Sequence, residues 1–427
     1  MIPQGVVKGV VFYIKDRNNN KLPEDVFWLM KEYRLMVNKA IRNALATGIT
    51  SRGTLCKSVY KGFREEHDVY SQYIPAAVRV AAGLLKAHRK RLRKYNRKQK
   101  KGKGKNKTMP PKVPFSKRLY IKCENQTYQL DRKTGVLRLP IRAGKHVHIE
   151  LEVSSYHRQY LDDESLVLGS LTITPRKLVV AFRKRDITPF VPETVISLDT
   201  NERSLDGVFV SPAGPKAIQL DISKNCVIQE RHNERRKRLQ KKKVHDRRTQ
   251  RKLCGREGQR EHNRVEAQLY LVAHVILKKA LAEKSVIILE DLTGLKLKHW
   301  SKRLKRRISS WPRRRLHAIL QFMARWSGIP IIFVDPSFTS VSCPICGSVY
   351  PVSRMDRMFR CACGWDCPKH INASLNIMIK AASFYEDVAR AAQGRPDASW
   401  HDPMMSLYDL ETGARTEGNG MSGMVGG

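Results

Sequence analysis

The chain has 427 residues, with 81 Lys and Arg against 39 Asp and Glu and a formal charge of +42. That length allows two or three domains with a sizeable core and excludes a small stapled fold. A chain this basic repels itself unless a polyanion offsets it, which points to nucleic acid. A membrane is the weaker partner, because no segment approaches the ~18 to 20 apolar residues that span a bilayer.

Residues 1–20 alternate like a strand, most clearly over 5–16, and Lys8 breaks them, so they do not make a signal peptide. A cytoplasmic, nucleoid-associated protein is expected. From Pro23 and Glu24 a helical period takes over with Phe27, Met30, Leu35, Val37, Ile41 and Leu45. A second helical run over 75–95 puts Val78, Ala82, Leu85 and His88 on one face. It turns basic and enters the run 89–107, which includes Arg89, Lys90, Arg91, Arg93, Lys94 and Tyr95 and carries Gly102 and Gly104 as breakers. The run reads either as a solvated linker or as a polybasic segment that orders on phosphates.

Short alternating stretches over 118–192, among them RLYIKC, GVLRLP and KLVVAFRK, predict an antiparallel β-domain that ends at Thr188-Pro189 and Val191-Pro192. Beyond it, ETVISLDT, DGVFV and KAIQLDI read as a three-strand meander with turns at Asp206-Gly207 and at Pro212–Gly214. A long basic helical stretch over 230–282, expected to be interrupted at Gly255 and Gly258, contains Arg235, Arg236, Lys237 and Arg238. The strand SVIILEDL, a helix stopping at Gly328 and the strand PIIFVD follow. Meander, helix, strand, helix, strand is the order of an α/β RNase H-like fold. The tail from about residue 386 has little hydrophobic pattern and is expected to be mostly disordered.

Nine cysteines are an odd number, and five of them fall between Cys343 and Cys367, which favours metal over disulfides. SCPICG supplies Cys343 and Cys346, and FRCACG supplies Cys361 and Cys363, a set suited to the closed tetrahedral shell of structural Zn²⁺. Because the second pair is one residue tighter than a usual knuckle, Cys367 is a reserve fourth ligand. Asp199 and Glu290 end buried strands. Two acids brought together at strand ends repel unless cations sit between them, the arrangement of two-metal phosphodiester chemistry. Asp206 and Asp291 lie close enough in sequence to be confused with them.

LDTN at 198–201, LEDLTGLK at 289–296, DPSFTSVSCPICG at 335–347, FRCACG and INASLNI together resemble TnpB, the RNA-guided nuclease of transposons, and the compact type V CRISPR effectors similar to it. The resemblance implies a RuvC-like nuclease that binds a structured guide RNA and cleaves double-stranded target DNA beside a short flanking motif. It implies a wedge β-domain over 1–20 and 118–192, and a helical recognition domain over 21–117. The RuvC-like part would span 193–335 and 368–385, with a zinc ribbon inserted at 336–367. Asp199 and Glu290 would be catalytic acids binding Mg²⁺ or Mn²⁺. The third acid of the family falls at His370, two residues before Asn372. Three readings follow: His370 binds metal or handles the leaving-group proton, Asp366 one helical turn earlier supplies the carboxylate, or the protein binds DNA under RNA guidance without cutting it. A generic basic zinc-ribbon protein is the remaining class.

Overall fold

In a computed structural model of the chain, the structure describes residues 5–15, 22–100, 109–185, 187–241, 246–292, 311–351 and 356–393, with the pairs 407–408 and 415–416. The chain forms two compact units, Met1–Asp186 and Ile187–Gly427. No helix among the described residues is long and apolar enough to cross a membrane.

The first unit opens with β1 (Val6–Phe12), followed by three helices, α1 (Glu24–Ala46), α2 (Arg52–Glu66) and α3 (Tyr73–Lys100). Strands β2 (Ile121–Cys123), β3 (Gln129–Leu130), β4 (Val136–Arg142) and β5 (Lys145–Glu150), helix α4 (Ser155–Leu161), then β6 (Leu166–Thr174) and β7 (Lys177–Lys184) complete it. The strands make two sheets, β1-β7-β6-β2 and β3-β4-β5, with neighbouring strands antiparallel and a bridge between Ile14 and Leu151. The opening strand therefore belongs to the β-layer formed some 170 residues later, pairing Val6 with Lys184 and Phe12 with Leu178. The apolar stripe of α1 differs from the one its sequence suggested. Val26, Met30, Tyr33, Val37, Ile41 and Ala44 are buried, whereas Leu35 and Leu45 are about half exposed. The run expected as a linker from residue 89 stays helical through Lys100, because Leu85 and His88 continue the buried stripe of α3 to its midpoint and the basic turns propagate from a formed helix. Gly102 and Gly104 lie outside the described residues.

The second unit is built on β8 (Thr194–Thr200), β9 (Ser204–Ser211), β10 (Gly214–Asp221), β11 (Ser285–Glu290) and β12 (Ile331–Val334), in sheet order β12-β11-β8-β9-β10. The meander is antiparallel, and β11 and β12 add in parallel beside β8. Two-residue strands β15 (Leu407–Tyr408) and β16 (Arg415–Thr416) continue the edge beyond β10, and β13 (Met358–Arg360) pairs with β14 (Asp366–Pro368) as a separate hairpin. Asp206-Gly207 is not a turn but lies within β9. A Cβ at Gly207 would collide with the Ser197 carbonyl, so the glycine allows β9 to lie against β8. The turn from β8 to β9 lies earlier, at 201–203, where the Asn201 N–H donates to the Ser204 carbonyl at 3.0 Å, while the second expected turn, at Pro212–Gly214, is present with Gly214 at φ 99°.

Helices α5 (Lys224–Lys241) and α6 (Arg247–Ala282) replace the single interrupted stretch. The break falls where the Asp246 side chain caps α6 by accepting from the backbone N–H of Arg248 and Thr249, while Gly255 and Gly258 sit inside an unbroken helix. Helix α7 (Arg313–Ser327) ends at Gly328 with φ 72°, and α8 (Lys369–Ala382) and α9 (Glu386–Ala391) follow the hairpin. One sheet face, with Ile196, Leu198, Ile287 and Leu289, packs on α6 and α7. The other, with Val195, Val208, Val286 and Ile288, packs on α8. A sheet covered on both faces explains why β8 and β11 are buried at every position.

Candidate active site and cysteine cluster

Period-two alternation decides where the acids go. In the parallel pair β8–β11, Leu198 faces Leu289, so the next residues, Asp199 and Glu290, share the opposite sheet face, the one that α8 covers. Asp206 of β9 is paired across from Asp199 and joins them. The first turn of α8 brings His370, whose Nδ1 lies 2.8 Å from Asp199 Oδ2. A carboxylate only accepts, so that nitrogen carries the proton. Asp199, Glu290 and His370, which span three distant segments, thus meet at one sheet edge. They do not reach ligand spacing: among the described residues, the one group of three or more such side chains whose donor atoms lie within 4.8 Å of each other is made of cysteines.

The two acids are held differently. Burial, and then the charge of Asp199, push the Glu290 carboxyl up to about 7, against the Thr339 hydroxyl, which donates to Glu290 Oε1 at 2.6 Å, and the Lys380 ammonium. Asp199 accepts from Asn201 Nδ2 at 3.1 Å. Its hydrogen bond to the half-exposed His370 is the leading cause that raises the imidazole's pKa, outweighing partial burial, with the charges of Asp199 and Asp206 adding to it. Asp206 is saturated by Asn201, Ser204 and Gln219 at 2.6 to 2.8 Å, so it contributes charge rather than an open donor. The sequence named neither Thr339 nor Asn201. Both lie inside the LDTN and DPSFTSVSCPICG motifs, where no feature of the residue itself set them apart.

The INASLNI stretch is a fastening. Asn372 Oδ1 accepts from Trp365 Nε1 at 3.0 Å, and its Nδ2 donates to the Ser342 carbonyl. Asn376 donates to the carbonyls of Thr339 and Ser342 at 2.9 and 2.8 Å. The Ser374 hydroxyl reaches the Asp206 carbonyl at 2.9 Å, and Ser197 donates to the Ser374 carbonyl at 2.7 Å. All three α8 side chains are buried and bonded, which fixes His370 against β8 and Thr339 against β11.

Cys343, Cys346, Cys361 and Cys363 place their sulfurs within 4.8 Å of one another and could hold one metal ion. Cys367 stands apart on β14, buried opposite Phe359, and burial pushes its thiol up to about 12. Asp366 is not delivered to the acids. Pro368 caps α8, so the helix does not extend back, and Asp366 lies on the hairpin with its carboxylate 3.4 Å from Arg360.

Two curated relatives match about half of this chain. The TnpB-like protein MJ0751 of Methanocaldococcus jannaschii is 28% identical over 210 residues, 48% of this chain and 75% of that protein. The chain is thus similar to TnpB-like proteins over about half of its length. A second relative from the same organism, the TnpB-like protein MJ1635, is 24% identical over 245 residues, 55% of this chain and 53% of that one. A family model described as Cas12f1-like, TNB domain, matches residues 314–377, from α7 through the cysteine cluster into α8. The uncharacterized MJ0013 family model matches residues 29–134. Among solved structures, a Cas12f1–sgRNA–target DNA complex has a TM-score of 0.59 at 13% identity, covering 88% of this chain and 99% of that one. CasPhi-2 (Cas12j) bound to crRNA has a TM-score of 0.55 at 11% identity, covering 93% and 99%. At such identities the likeness is one of fold alone.

The basic residues divide into two kinds. Arg89, Lys90, Arg93 and Lys94 line an open groove of about 1140 Å³ along α3, which Arg52 of α2 also lines. Arg89 donates to the carbonyl of Ile49 at 3.1 Å, and Arg91 lies back along the helix toward the Ala87 carbonyl. On α5 the basic run is partly consumed within the fold: Arg236 pairs with Glu261 and Arg235 lies 3.5 Å from Glu257, both acids of α6. Lys237 and Arg238 are exposed.

Proposed function

We propose that the chain is an RNA-guided DNA endonuclease. It binds a structured guide RNA, recognises a short motif beside its double-stranded DNA target and hydrolyses phosphodiester bonds at Asp199, Glu290 and His370. The observation that carries this reading is the meeting of Asp199 and Glu290 on one face of adjacent parallel strands, with His370 bonded to the first. The formal charge of +42 and the basic groove along α3 support a large polyanionic partner. The structure most useful for comparison was solved as a complex of Cas12f1 with sgRNA and target DNA.

The donor set fits a divalent cation. A carboxyl held near 7 by burial and a facing carboxylate is the state that a cation between the two acids would reverse. Asp199 and Glu290 would hold Mg²⁺ or Mn²⁺, which when bound stabilises charge on a phosphodiester and makes water acidic. Asn201 and Thr339 orient the two carboxylates. His370 supplies an imidazole, a donor better matched to Mn²⁺ than to Mg²⁺, or the proton taken up by the departing 3′ oxygen. The four clustered cysteines hold a structural Zn²⁺ with no open position.

The test is to purify the chain with the RNA it retains, sequence that RNA, and assay the matching duplex in Mg²⁺ and Mn²⁺ across the imidazole range of pH. Cutting should be faster in Mn²⁺ and slow as the pH falls, and His370→Asp should shift the preference toward Mg²⁺. A second reading, an RNA-guided DNA-binding protein that does not cleave, is favoured by one observation: the third position holds an imidazole paired to Asp199 where the family has an acid. Guide-dependent binding with intact strands in both metals would establish it. Absence of any discrete RNA and of guide-dependent binding would sink both.

A further inference from the structure

We propose that Phe338 is a stacking platform for an unpaired nucleobase of the DNA strand led to the carboxylate site, an inference that rests on the nucleic-acid reading above. Phe338 is one of two non-glycine residues with positive φ among the described residues, at 64°. The backbone has its own reason for this. The Phe338 carbonyl accepts from the N–H groups of Val341 and Ser342, at 3.2 and 3.1 Å, and from the Ser342 hydroxyl at 2.9 Å, closing the turn that enters the cysteine cluster. Glycine or asparagine would make that turn with less strain. The fold does not explain the ring, which is 65% exposed and adds nothing to the core.

The loop that carries the ring is pinned on both sides, and the residue after Phe338 bonds to Glu290. The Lys380 ammonium donates to the carbonyls of Asp335 and Ser337 before it. Thr339 after it donates to Glu290, and its own carbonyl is held by Asn376. An aromatic ring presented on a fixed loop loses little freedom on binding, the property of an effective stacking residue. The acids repel a phosphate backbone, so a strand approaching them is better held by the uncharged face of a base than by its phosphates. A lone ring falls far short of the contiguous apolar patch a protein partner needs.

The probe is single-stranded oligothymidylate carrying one 2-aminopurine, moved position by position, on full-length chain bearing Glu290→Gln so that no cutting intervenes. At one position the fluorescence should be quenched with Phe338, Phe338→Tyr and Phe338→Trp, and restored with Phe338→Ala and Phe338→Gly. The glycine variant keeps the left-handed turn, so its melting temperature should not fall below the parent's. Quenching that is equal in all five proteins overturns the proposal. In cleavage-competent protein, Phe338→Ala or an abasic site at the quenched position should each slow cutting by about fivefold or more, and both together no further. Additive losses overturn it as well. Ring-dependent quenching in a protein that never cuts would leave this proposal standing while the nuclease reading fails.

Discussion

The second unit holds two groups of possible metal ligands, and they are assembled in opposite ways. The four cysteines come from 21 consecutive residues, 343 to 363, and their sulfurs already stand within 4.8 Å of one another. Asp199, Glu290 and His370 come from three elements, β8, β11 and α8, and meet only because the sheet and the fastening of α8 bring them together. A local hairpin makes a closed clip. A site drawn from remote elements stays open, with repelling charges that a cation would offset, and that openness is what the proposed chemistry needs.

The largest effect should come from the closed cluster. Structural zinc contributes on the order of 10 kcal/mol of apparent folding energy to small ribbons, so Cys343→Ser or Cys363→Ser should release the metal and unfold the ribbon. Cys367→Ser should keep one metal per chain and cost only ~1 to 3 kcal/mol, the penalty of a buried hydroxyl where a thiol packed. Metal content by mass spectrometry with near-UV circular dichroism decides it. Loss of metal from Cys367→Ser with retention in Cys363→Ser would reassign the fourth ligand.

The open site should fail in another manner. Asp199→Ala and Glu290→Gln each remove several kcal/mol of charge stabilisation at the phosphodiester, so cutting should drop by about a thousandfold with guide-dependent binding preserved. Binding lost in parallel would mean that these acids hold the fold rather than the reaction.

How much of each group could be read from the sequence follows from the same contrast. Cysteine spacing is local, so four of the five clustered residues could be assigned with Cys367 left in reserve, and the sulfurs of those four stand within 4.8 Å of one another. The strand-end acids were readable from hydrophobic runs, since the alternation that buries Leu198 and Leu289 sends Asp199 and Glu290 to the other face. Asp366, one of the three readings for the third position, needed a helix running back through Pro368, and the chain there is a strand. Asp206-Gly207 misled because a glycine needed for close strand approach has the same letters as a turn. Asn372, Ser374 and Asn376 would be placed toward solvent by polarity, yet they are buried, since their partners are carbonyls of remote loops that no local pattern encodes.

Stability against pH should sharpen the contrast. Glu290 has its carboxyl raised from 4.5 to about 7, so its contribution is full below about 4.5 and is lost as pH rises through 7, a loss of ~3 kcal/mol. His370 is also raised and acts in the same direction. Protein freed of Mg²⁺ and Mn²⁺, with its thiolate-bound metal retained, should therefore melt ~5 to 10 °C lower at pH 8 than at pH 5. Added Mn²⁺ should restore more at pH 8, where both acids are charged, and Glu290→Gln should flatten the curve. A parent curve as flat as the variant's would mean that the two acids do not feel each other.

The smallest effect tests the loop that joins the two groups. Thr339 follows the strained Phe338 and precedes Cys343 by four residues, so the turn that enters the cysteine cluster also aims a hydroxyl at Glu290 Oε1. Thr339→Val keeps the shape and removes that donor. With it goes the hydrogen bond that opposes burial at Glu290, so the carboxyl should rise further and the pH at which cutting becomes half-maximal should move up. At a fixed neutral pH the rate should fall by about tenfold, the usual scale for a residue that orients a metal ligand. The metal held by the cysteines should be unaffected. A rate loss that is the same at every pH would mean that Thr339 merely packs the loop, and the link between the closed cluster and the open site would then run through the α8 asparagines alone.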